Sequence, residues 1–246
     1  MSGHNRWSTI KHRKAIADAK KSKGWTKLLK EVTVAARGGS DPGGNPRLRA
    51  AIEKARAANI PNDTIERAVK KGSGELTADQ LEELTYQAYG PGGVAIVIEL
   101  ATDNRNRTAS ELRKLLEKQN AKIDTSGSVM HKFKRRGQLI FDAAKHSEDA
   151  ITEAALDLGA EDVRAEGDTI VVLTEAQDFH QIKEAFEKRG LVPESGEVAL
   201  VPEQTVTVGE HDAEVITRLL EALDDHDDVL NVYANFEVAG GAAQTS

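Results

Sequence analysis

The sequence predicts an α+β protein: an N-terminal all-helical domain followed by two α/β (ferredoxin-like) domains, the last inserted into the second. Two observations predict this class. Apolar residues recur at helical spacing up to Gly72, and after Gly74 they mostly alternate as they do in strands. The charge changes at the same place, because residues 1–72 hold 17 Lys and Arg against 6 Asp and Glu, whereas the remainder holds 16 against 34. The two parts carry +11 and −18 within a chain of net charge −7.

The composition excludes several classes of protein. Cysteine is absent, which excludes disulfides, thiolate metal sites and cysteine nucleophiles. No apolar run near the start resembles a signal peptide, and none approaches the roughly 20 residues of a membrane span. The sequence also lacks the phosphate-loop, serine-hydrolase and zinc-protease motifs. We therefore expect a soluble cytoplasmic protein that is not an enzyme, has no cofactor and does not bind a membrane or a small-molecule substrate.

The first element after the basic N-terminal segment is a core helix. Its apolar stripe consists of Trp25, Leu28, Leu29, Val32 and Ala36. This spacing predicts that Trp25 is buried and that Lys27 and Lys30 face solvent.

Two further helices complete the predicted helical domain. Asn45 stands as an N-cap before Pro46, and the buried stripe of the helix that follows consists of Leu48, Ala51, Ile52 and Ala55. Pro61 interrupts the pattern. Asn62 or Asp63 can then cap a shorter helix that ends at Gly72.

The segment of residues 8–23 differs from these helices because its charges surround it. Its polar and charged members include Lys11, His12, Arg13, Lys14, Lys20, Lys21 and Lys23. At about 100° per residue these side chains occupy more than one face, which leaves a poor apolar stripe. Packing explains such a helix badly, whereas the phosphates of a nucleic acid neutralise it. The alternative is an ordinary solvated lysine-rich surface.

Further cations extend this predicted nucleic-acid surface. Arg47 and Arg49 lie at the amino end of a helix, where anions are favoured. Arg105 and Arg107 come just before a helix of about residues 108–119, which Thr108 and Glu111 are spaced to cap as a capping box. Lys132, Lys134 and Arg136 share one face of a predicted strand that covers residues 129–134. For these last two groups the alternative is salt bridging to nearby carboxylates.

The remaining elements predict the two α/β domains. Strands at residues 85–89 and 94–100 flank a turn at residues 90–93, which is a hairpin signal. From residue 138 the order is β-α-β-β-α-β, as in ferredoxin-like domains. A lone β-α-β then follows, and we expect it to return to the first sheet because it would otherwise have a poor core. The predicted domains are residues 1–76, residues 77–136 with 203–238, and the inserted residues 137–202, followed by a disordered tail at 239–246.

An acidic cluster surrounds His226. Its members are Asp224, Asp225, Asp227 and Asp228. The spacing does not match an EF-hand, so we interpret the cluster as a solvated loop and predict no metal site.

Five motifs occur in order along nearly the whole chain. They are GHNRWSTIKHRK at residues 3–14, NPRLR at 45–49, YGPGG at 89–93, DNRNRT at 103–108 and GSV at 127–129. In these motifs the chain resembles the YebC/PmpR family, whose members are usually labelled probable transcriptional regulators. A mitochondrial relative is a translational activator of cytochrome oxidase subunit I. The resemblance implies three domains, the last inserted into the second, with DNA binding in some members and relief of stalled translation on the ribosome, notably at proline runs, in others.

We therefore expect a monomeric nucleic-acid-binding regulator of gene expression, in the first place a DNA-binding transcriptional regulator. The alternative is a translation factor or translational activator that binds ribosomal or transfer RNA. Lysine predominates in the basic segment and no dimerisation helix is evident, which disfavours a conventional repressor. A third class, a protein-interaction adaptor, would use the same cations on an acidic protein.

Overall fold

The computed structural model describes residues 23–77 and 81–239. Its helical part, here called the head, covers residues 23–72 and contains three helices. They are α1 (Lys23–Ala35), α2 (Pro46–Ala57) and α3 (Asn62–Gly72). The remainder, residues 81–239, is here called the body. Among the described residues, no helix combines the length and apolar character that crossing a membrane requires.

The head has its own apolar core, in which α2 contributes the predicted stripe of buried residues. Asn45 caps α2 as predicted, because its side-chain oxygen accepts a hydrogen bond from the backbone N–H of Leu48 (3.1 Å). Gly72 lets α3 approach α1 closely. A Cβ at this position would lie 2.1 Å from the carbonyl oxygen of Thr33, so any side chain there would force the two helices apart.

Two expectations for the head are wrong. Trp25 is 36% exposed, and its indole N–H donates to the carbonyl oxygen of Ala58 (3.2 Å) at the edge of the core. The helix α3 begins at Asn62 after Pro61, with no side-chain cap, and the Pro61 carbonyl accepts from the N–H groups of Thr64 and Ile65.

The first sheet of the body has the strand order β3-β1-β2-β9. Its strands are β1 (Glu82–Tyr89), β2 (Ala95–Thr102), β3 (Lys122–Ile123) and β9 (Val229–Ala234). The predicted hairpin is confirmed, because β1 and β2 pair antiparallel with Tyr89 opposite Ala95. One face of this sheet packs against two helices, α4 (Arg105–Lys118) and α7 (Glu210–Asp224).

The second sheet has the order β5-β6-β4-β7 and is antiparallel throughout. Its strands are β4 (Phe133–Asp142), β5 (Asp162–Glu166), β6 (Thr169–Glu175) and β7 (Ser195–Pro202). With its helices α5 (Glu148–Leu158) and α6 (Phe179–Lys188), it has the predicted β-α-β-β-α-β order.

The strand predicted at residues 129–134 is wrong in its extent. Met130–Lys132 is a 3-10 turn, and β4 begins at Phe133 and continues without a break to Asp142. Gly137 lies inside this strand, where a Cβ would meet the Thr174 hydroxyl oxygen at 2.2 Å. Gly137 is thus a packing position, and β4 continues across the predicted boundary between residues 136 and 137.

The helix and the last strand of the predicted β-α-β return to the first sheet, where α7 packs and β9 pairs antiparallel with β2, but its first strand does not join this sheet. The strands β8 (Val206–Val208) and β10 (Phe236–Val238) form a separate two-stranded parallel sheet. An apolar cluster joins the two larger sheets, with Val97 and Tyr233 from the first and Phe133 and Leu200 from the second. The exact domain bounds stay predictions.

Candidate nucleic-acid interface

The N-terminal part of the predicted surface is not described. Lys11, His12, Arg13, Lys14, Lys20 and Lys21 lie outside the described residues, as does the predicted tail from residue 240 onward. Lys23 is the first residue of α1. The predicted site residues of the described part are Arg47, Arg49, Arg105, Arg107, Lys132, Lys134 and Arg136.

Arg47 and Arg49 both lie in the first two turns of α2 and are exposed. They differ in their partners. The Arg47 guanidinium lies 2.7 Å from the Glu83 carboxylate on β1. Arg49 forms no ion pair with any carboxylate of the described part of the chain. A phosphate therefore has to compete with Glu83 for Arg47, whereas Arg49 is open to it.

The predicted capping box of α4 is wrong, and this changes the setting of Arg105 and Arg107. The helix begins at Arg105 with Asn104 as its cap, whose side-chain oxygen accepts from the Arg107 backbone N–H (3.1 Å). Both arginines therefore belong to the first turn. Their guanidinium groups are near carboxylates, Arg105 at 3.8 Å from Glu82 and Arg107 at 2.9 Å from Asp103.

Arg107 also reaches the central acid of this region, Asp228, at 2.9 Å. The Asp228 side chain is only 5% exposed. One of its oxygens accepts hydrogen bonds from the hydroxyls of Thr108 (2.6 Å) and Thr102 (3.2 Å), and the other lies 2.6 Å from the Lys30 ammonium group. The interpretation of the aspartate cluster as a solvated loop is therefore wrong for Asp228.

The surroundings of Asp228 keep it ionised. Burial alone raises the pKa of the carboxyl, but hydrogen bonds from Lys30, Thr108 and Arg107 outweigh burial and hold the pKa well below its ordinary value. The contact gathers groups from α1, β2, α4 and the loop between α7 and β9 on one buried carboxylate.

His226 and Glu111 adjoin this carboxylate, and with Asp228 their ligand atoms lie within 4.8 Å of one another. Both ring nitrogens of His226 already have hydrogen-bond partners. Its Nδ1 accepts from the Asp228 backbone N–H (3.1 Å), so Nε2 carries the proton and faces the Glu111 carboxylate at 3.0 Å. Lys30 and Arg107 place two positive charges on Asp228, so the arrangement does not fit a metal cation.

The cations predicted to share a strand face separate in the structure. Lys132 ends the 3-10 turn before β4, with its ammonium 5.7 Å from the centre of the Tyr89 ring. Lys134 and Arg136 do share a face of β4. They are paired there with acids, since Lys134 lies 2.8 Å from Glu175 and Arg136 lies 3.3 Å from Glu161. Salt bridging, the alternative interpretation, describes these two residues.

Two of the sequence motifs meet at one end of the first sheet. The Tyr89 hydroxyl and the Ser128 hydroxyl are 2.9 Å apart, and the Gln87 side-chain oxygen accepts from the backbone N–H of Met130 (2.9 Å). Asp124 organises the loop by accepting hydrogen bonds from Ser126 and Ser128. The same hydrogen bonds lower the pKa of Asp124 to about 2. The motifs at residues 89–93 and 127–129 are thus parts of one local structure.

Lys27 and Lys30 do not face solvent as predicted, because the body covers this side of α1. The Lys27 ammonium lies 3.6 Å from the Asp224 carboxylate and also bonds to the Asp224 carbonyl. The Lys30 ammonium donates to the carbonyl oxygen of Asp227 (2.9 Å) as well as to Asp228. Residues almost 200 positions apart make these contacts, so helical periodicity alone had no means of finding them.

Other head cations remain exposed and form no ion pair within the described part of the chain. They are Arg37, Arg49, Arg56, Arg67, Lys70 and Lys71. Three of them, Arg67, Lys70 and Lys71, have the i, i+3, i+4 spacing that places them on one face of α3. Sequence reasoning did not select these three, although their exposed helical face was readable from the buried stripe of Ile65 and Ala68.

Comparison with known proteins covers nearly the whole chain. Residues 5–75 match the family model described as the TACO1/YebC protein N-terminal domain, and residues 81–236 match the one described as the TACO1/YebC second and third domain. A solved structure of a conserved hypothetical protein from Aquifex aeolicus superimposes with a TM-score of 0.83 at 40% identity, over 94% of this chain and 96% of that one.

Curated relatives extend the same match. A protein from Acidithiobacillus ferrooxidans is 50% identical over 240 residues, which are 97% of this chain and 96% of the relative. A protein from Geotalea uraniireducens is 48% identical over 240 residues, or 97% of each chain. Both are named "Probable transcriptional regulatory protein". From these matches, the chain belongs to the TACO1/YebC family.

Proposed function

We propose that this protein is a non-enzymatic, nucleic-acid-binding regulator of gene expression. The observation that carries the proposal is the charge separation, with +11 on residues 1–72 and −18 on the rest of the chain. A polyanion is drawn to the basic part and repelled by the acidic part, which orients the protein on its partner. The names of the relatives support a regulatory role.

The proposed contact surface starts in the basic segment of residues 8–23 and continues over the exposed cations of the head. Of the predicted site residues in the described part, Arg49 is the best placed to bind a phosphate. Its guanidinium group is exposed and forms no ion pair with a described carboxylate. Arg47, Arg107, Lys134 and Arg136 are paired with acids and contribute less. Contacts of this kind supply affinity and salt dependence but little sequence information.

DNA is the first candidate partner, as the names of the relatives suggest. RNA, on the ribosome or as transfer RNA, is the second candidate, and the α2–α3 pair favours it. In a helix-turn-helix protein the amino end of the second helix contacts base edges in the major groove. Here that end carries Asp63, with Glu66 one turn later, and both are exposed. These carboxylates disfavour insertion of α3 between the phosphates of a duplex.

The deciding experiment is crosslinking and sequencing of the nucleic acid bound in cells, with ribosome co-sedimentation from the same lysate. Promoter DNA without ribosomal RNA would exclude the translation role, and ribosomal or transfer RNA without promoter DNA would exclude the promoter role. Recovery of neither would exclude both and favour an acidic protein partner.

A matched pair of variants tests the surface itself. We expect Lys11→Glu with Lys14→Glu to abolish nucleic-acid binding without changing the melting temperature. Lys114→Glu with Lys118→Glu makes the same change in charge on the exposed side of α4 in the body and should retain binding. Equal losses in the two pairs would show that net charge, and not the basic segment, governs binding.

A further inference from the structure

Ion pairs join the head to the body. Four head cations contact body carboxylates: Lys27 with Asp224 (3.6 Å), Lys30 with Asp228 (2.6 Å), Arg47 with Glu83 (2.7 Å) and Lys54 with Glu197 (3.1 Å). Burial alone lowers the pKa of Lys54, but Glu197 and Glu31 outweigh it and raise the pKa above its ordinary value.

No shared apolar core supports these contacts in the described part of the chain. Each cluster of buried apolar residues there belongs wholly to the head or wholly to the body. One buried apolar residue, Val34, lies on the same face of α1 as Lys27 and Lys30 by helical spacing, and it adds apolar burial to this contact. Salt screens the four ion pairs between head and body, whereas it does not weaken apolar packing.

The last residue of α7 and the loop after it present oxygens to α1, as the phosphates of a nucleic acid would. The Lys27 and Lys30 ammonium groups lie against the carboxylates of Asp224 and Asp228 and the carbonyls of Asp224 and Asp227. Both lysines belong to the basic part of the chain that we propose binds nucleic acid. In the closed arrangement the loop occupies them.

The buried Asp228 carboxylate keeps other partners when Lys30 moves away. Its other partners, Arg107, Thr108 and Thr102, all belong to the body and stay in place when the head leaves. Removal of the only partner of a buried charge is strongly unfavourable, but here Asp228 keeps one cation and two hydroxyl donors. Detachment of the head therefore leaves no unpaired buried charge at this position.

We propose that the loop of residues 224–228 competes with nucleic acid for Lys27 and Lys30, so that the head is closed on the body in the free protein and is released by a bound polyanion. This inference rests on the proposed function. The partner drives release because it gains contacts with the two lysines only in the open arrangement, and such a difference in affinity shifts the equilibrium.

The distance between head and body measures this release directly. The chain contains no cysteine, so Ser40→Cys on the head and Val192→Cys on the body give a unique pair of positions for fluorescent labels. We expect energy transfer to fall as sodium chloride is raised, and to fall at constant low salt when a 20-base-pair duplex DNA or a single-stranded RNA of equal length is added.

A change on the body side separates competition from direct binding. Asp224→Asn removes the carboxylate that faces Lys27 and leaves every head cation unchanged. Asp224 is the last residue of α7, where a negative charge is unfavourable, so this replacement should not unfold the helix. We expect it to lower energy transfer in the free protein and to tighten nucleic-acid binding about two- to fivefold, the size of a partly exposed ion pair.

The matched control is Glu153→Gln on the exposed side of α5, which makes the same change in charge away from the head. Equal tightening in both variants would overturn the inference, because general electrostatics would then explain the effect. Binding with unchanged energy transfer would also overturn it while leaving the proposed function intact. If neither probe binds the unaltered protein, the proposed function fails and the competition with it, and the salt titration shows separately whether the head–body contact is electrostatic.

Discussion

Replacement of Asp228 by asparagine tests the central contact between head and body. The side chain is 5% exposed and accepts from two hydroxyls while it faces Lys30 and Arg107. Asparagine keeps the volume and one acceptor oxygen but has no charge, and its amide would point toward donors. A hydrogen bond to a charged group contributes about 1.5–3 kcal/mol and a neutral one about 1 kcal/mol.

From these contacts we expect Asp228→Asn to lower the free energy of unfolding by about 3 kcal/mol, counting the Lys30 bond and one hydroxyl bond. For a chain of this length such a loss lowers the melting temperature by roughly 6–12 °C. The control is Asp227→Asn in the same loop, whose carboxylate is exposed. We expect this control to stay within about 0.5 kcal/mol of the unaltered protein.

The effect should depend on pH in a definite direction. Because the pKa of Asp228 is lowered in the folded protein, its stabilising contribution is complete above the ordinary carboxyl value of 3.8 and is lost as the pH falls below it. Urea unfolding of the unaltered protein and of Asp228→Asn at several pH values between 7 and 3 measures this dependence. The difference between them should be constant near neutrality and shrink at the acid end. A difference below about 0.5 kcal/mol at pH 7 would refute the assignment of Asp228 as an ionised, buried centre.

Three further predictions concern other parts of the molecule. Gly72→Ala should separate α3 from α1 and lower the melting temperature, whereas Gly24→Ala, which meets nothing within 4 Å, should not; equal thermal stability of the two variants would contradict the close packing. Since the pKa of Asp124 is lowered to about 2, its loop should stay ordered at pH 4 and loosen only as the pH approaches 2, as shown by proton exchange at the Ser128 amide; loosening at pH 4 would contradict the hydrogen bonds. Arg49→Gln should reduce the salt dependence of nucleic-acid binding by about one phosphate contact and Arg47→Gln by less, because Arg47 must leave Glu83; the reverse order would remove Arg49 from the surface.

The local elements of this protein were predictable because each depends on neighbours in the sequence. The α2 cap depends on Asn45 and Leu48, which are three residues apart, and the β1–β2 hairpin depends on the five residues between its strands. The Asp228 contact depends on residues up to 198 positions away. In the sequence, its aspartates are indistinguishable from those of a solvated loop.

The same distinction explains the errors on α1. Its apolar stripe correctly predicts the face that packs against α2 and α3, but it says nothing of a second neighbour on the opposite side. Lys27 and Lys30 would face water if the head were alone, and they meet the body only in the assembled chain. Trp25 begins the stripe at the edge of the core, where its indole N–H finds a carbonyl and part of its ring stays exposed.

The junction between the two larger sheets has a mechanical consequence for the body. Inserted domains are commonly joined by flexible linkers that act as hinges. Here the connection from the first sheet is the segment of residues 124–132, which accepts hydrogen bonds at Asp124 and donates to Gln87, and it runs directly into β4 of the second sheet. Arg135 on that strand lies 3.0 Å from Glu99 on the first sheet, and a shared apolar cluster fills the junction. We therefore expect the two larger sheets to move together as one rigid unit. Relative motion within the molecule should then occur mainly between the head and the body.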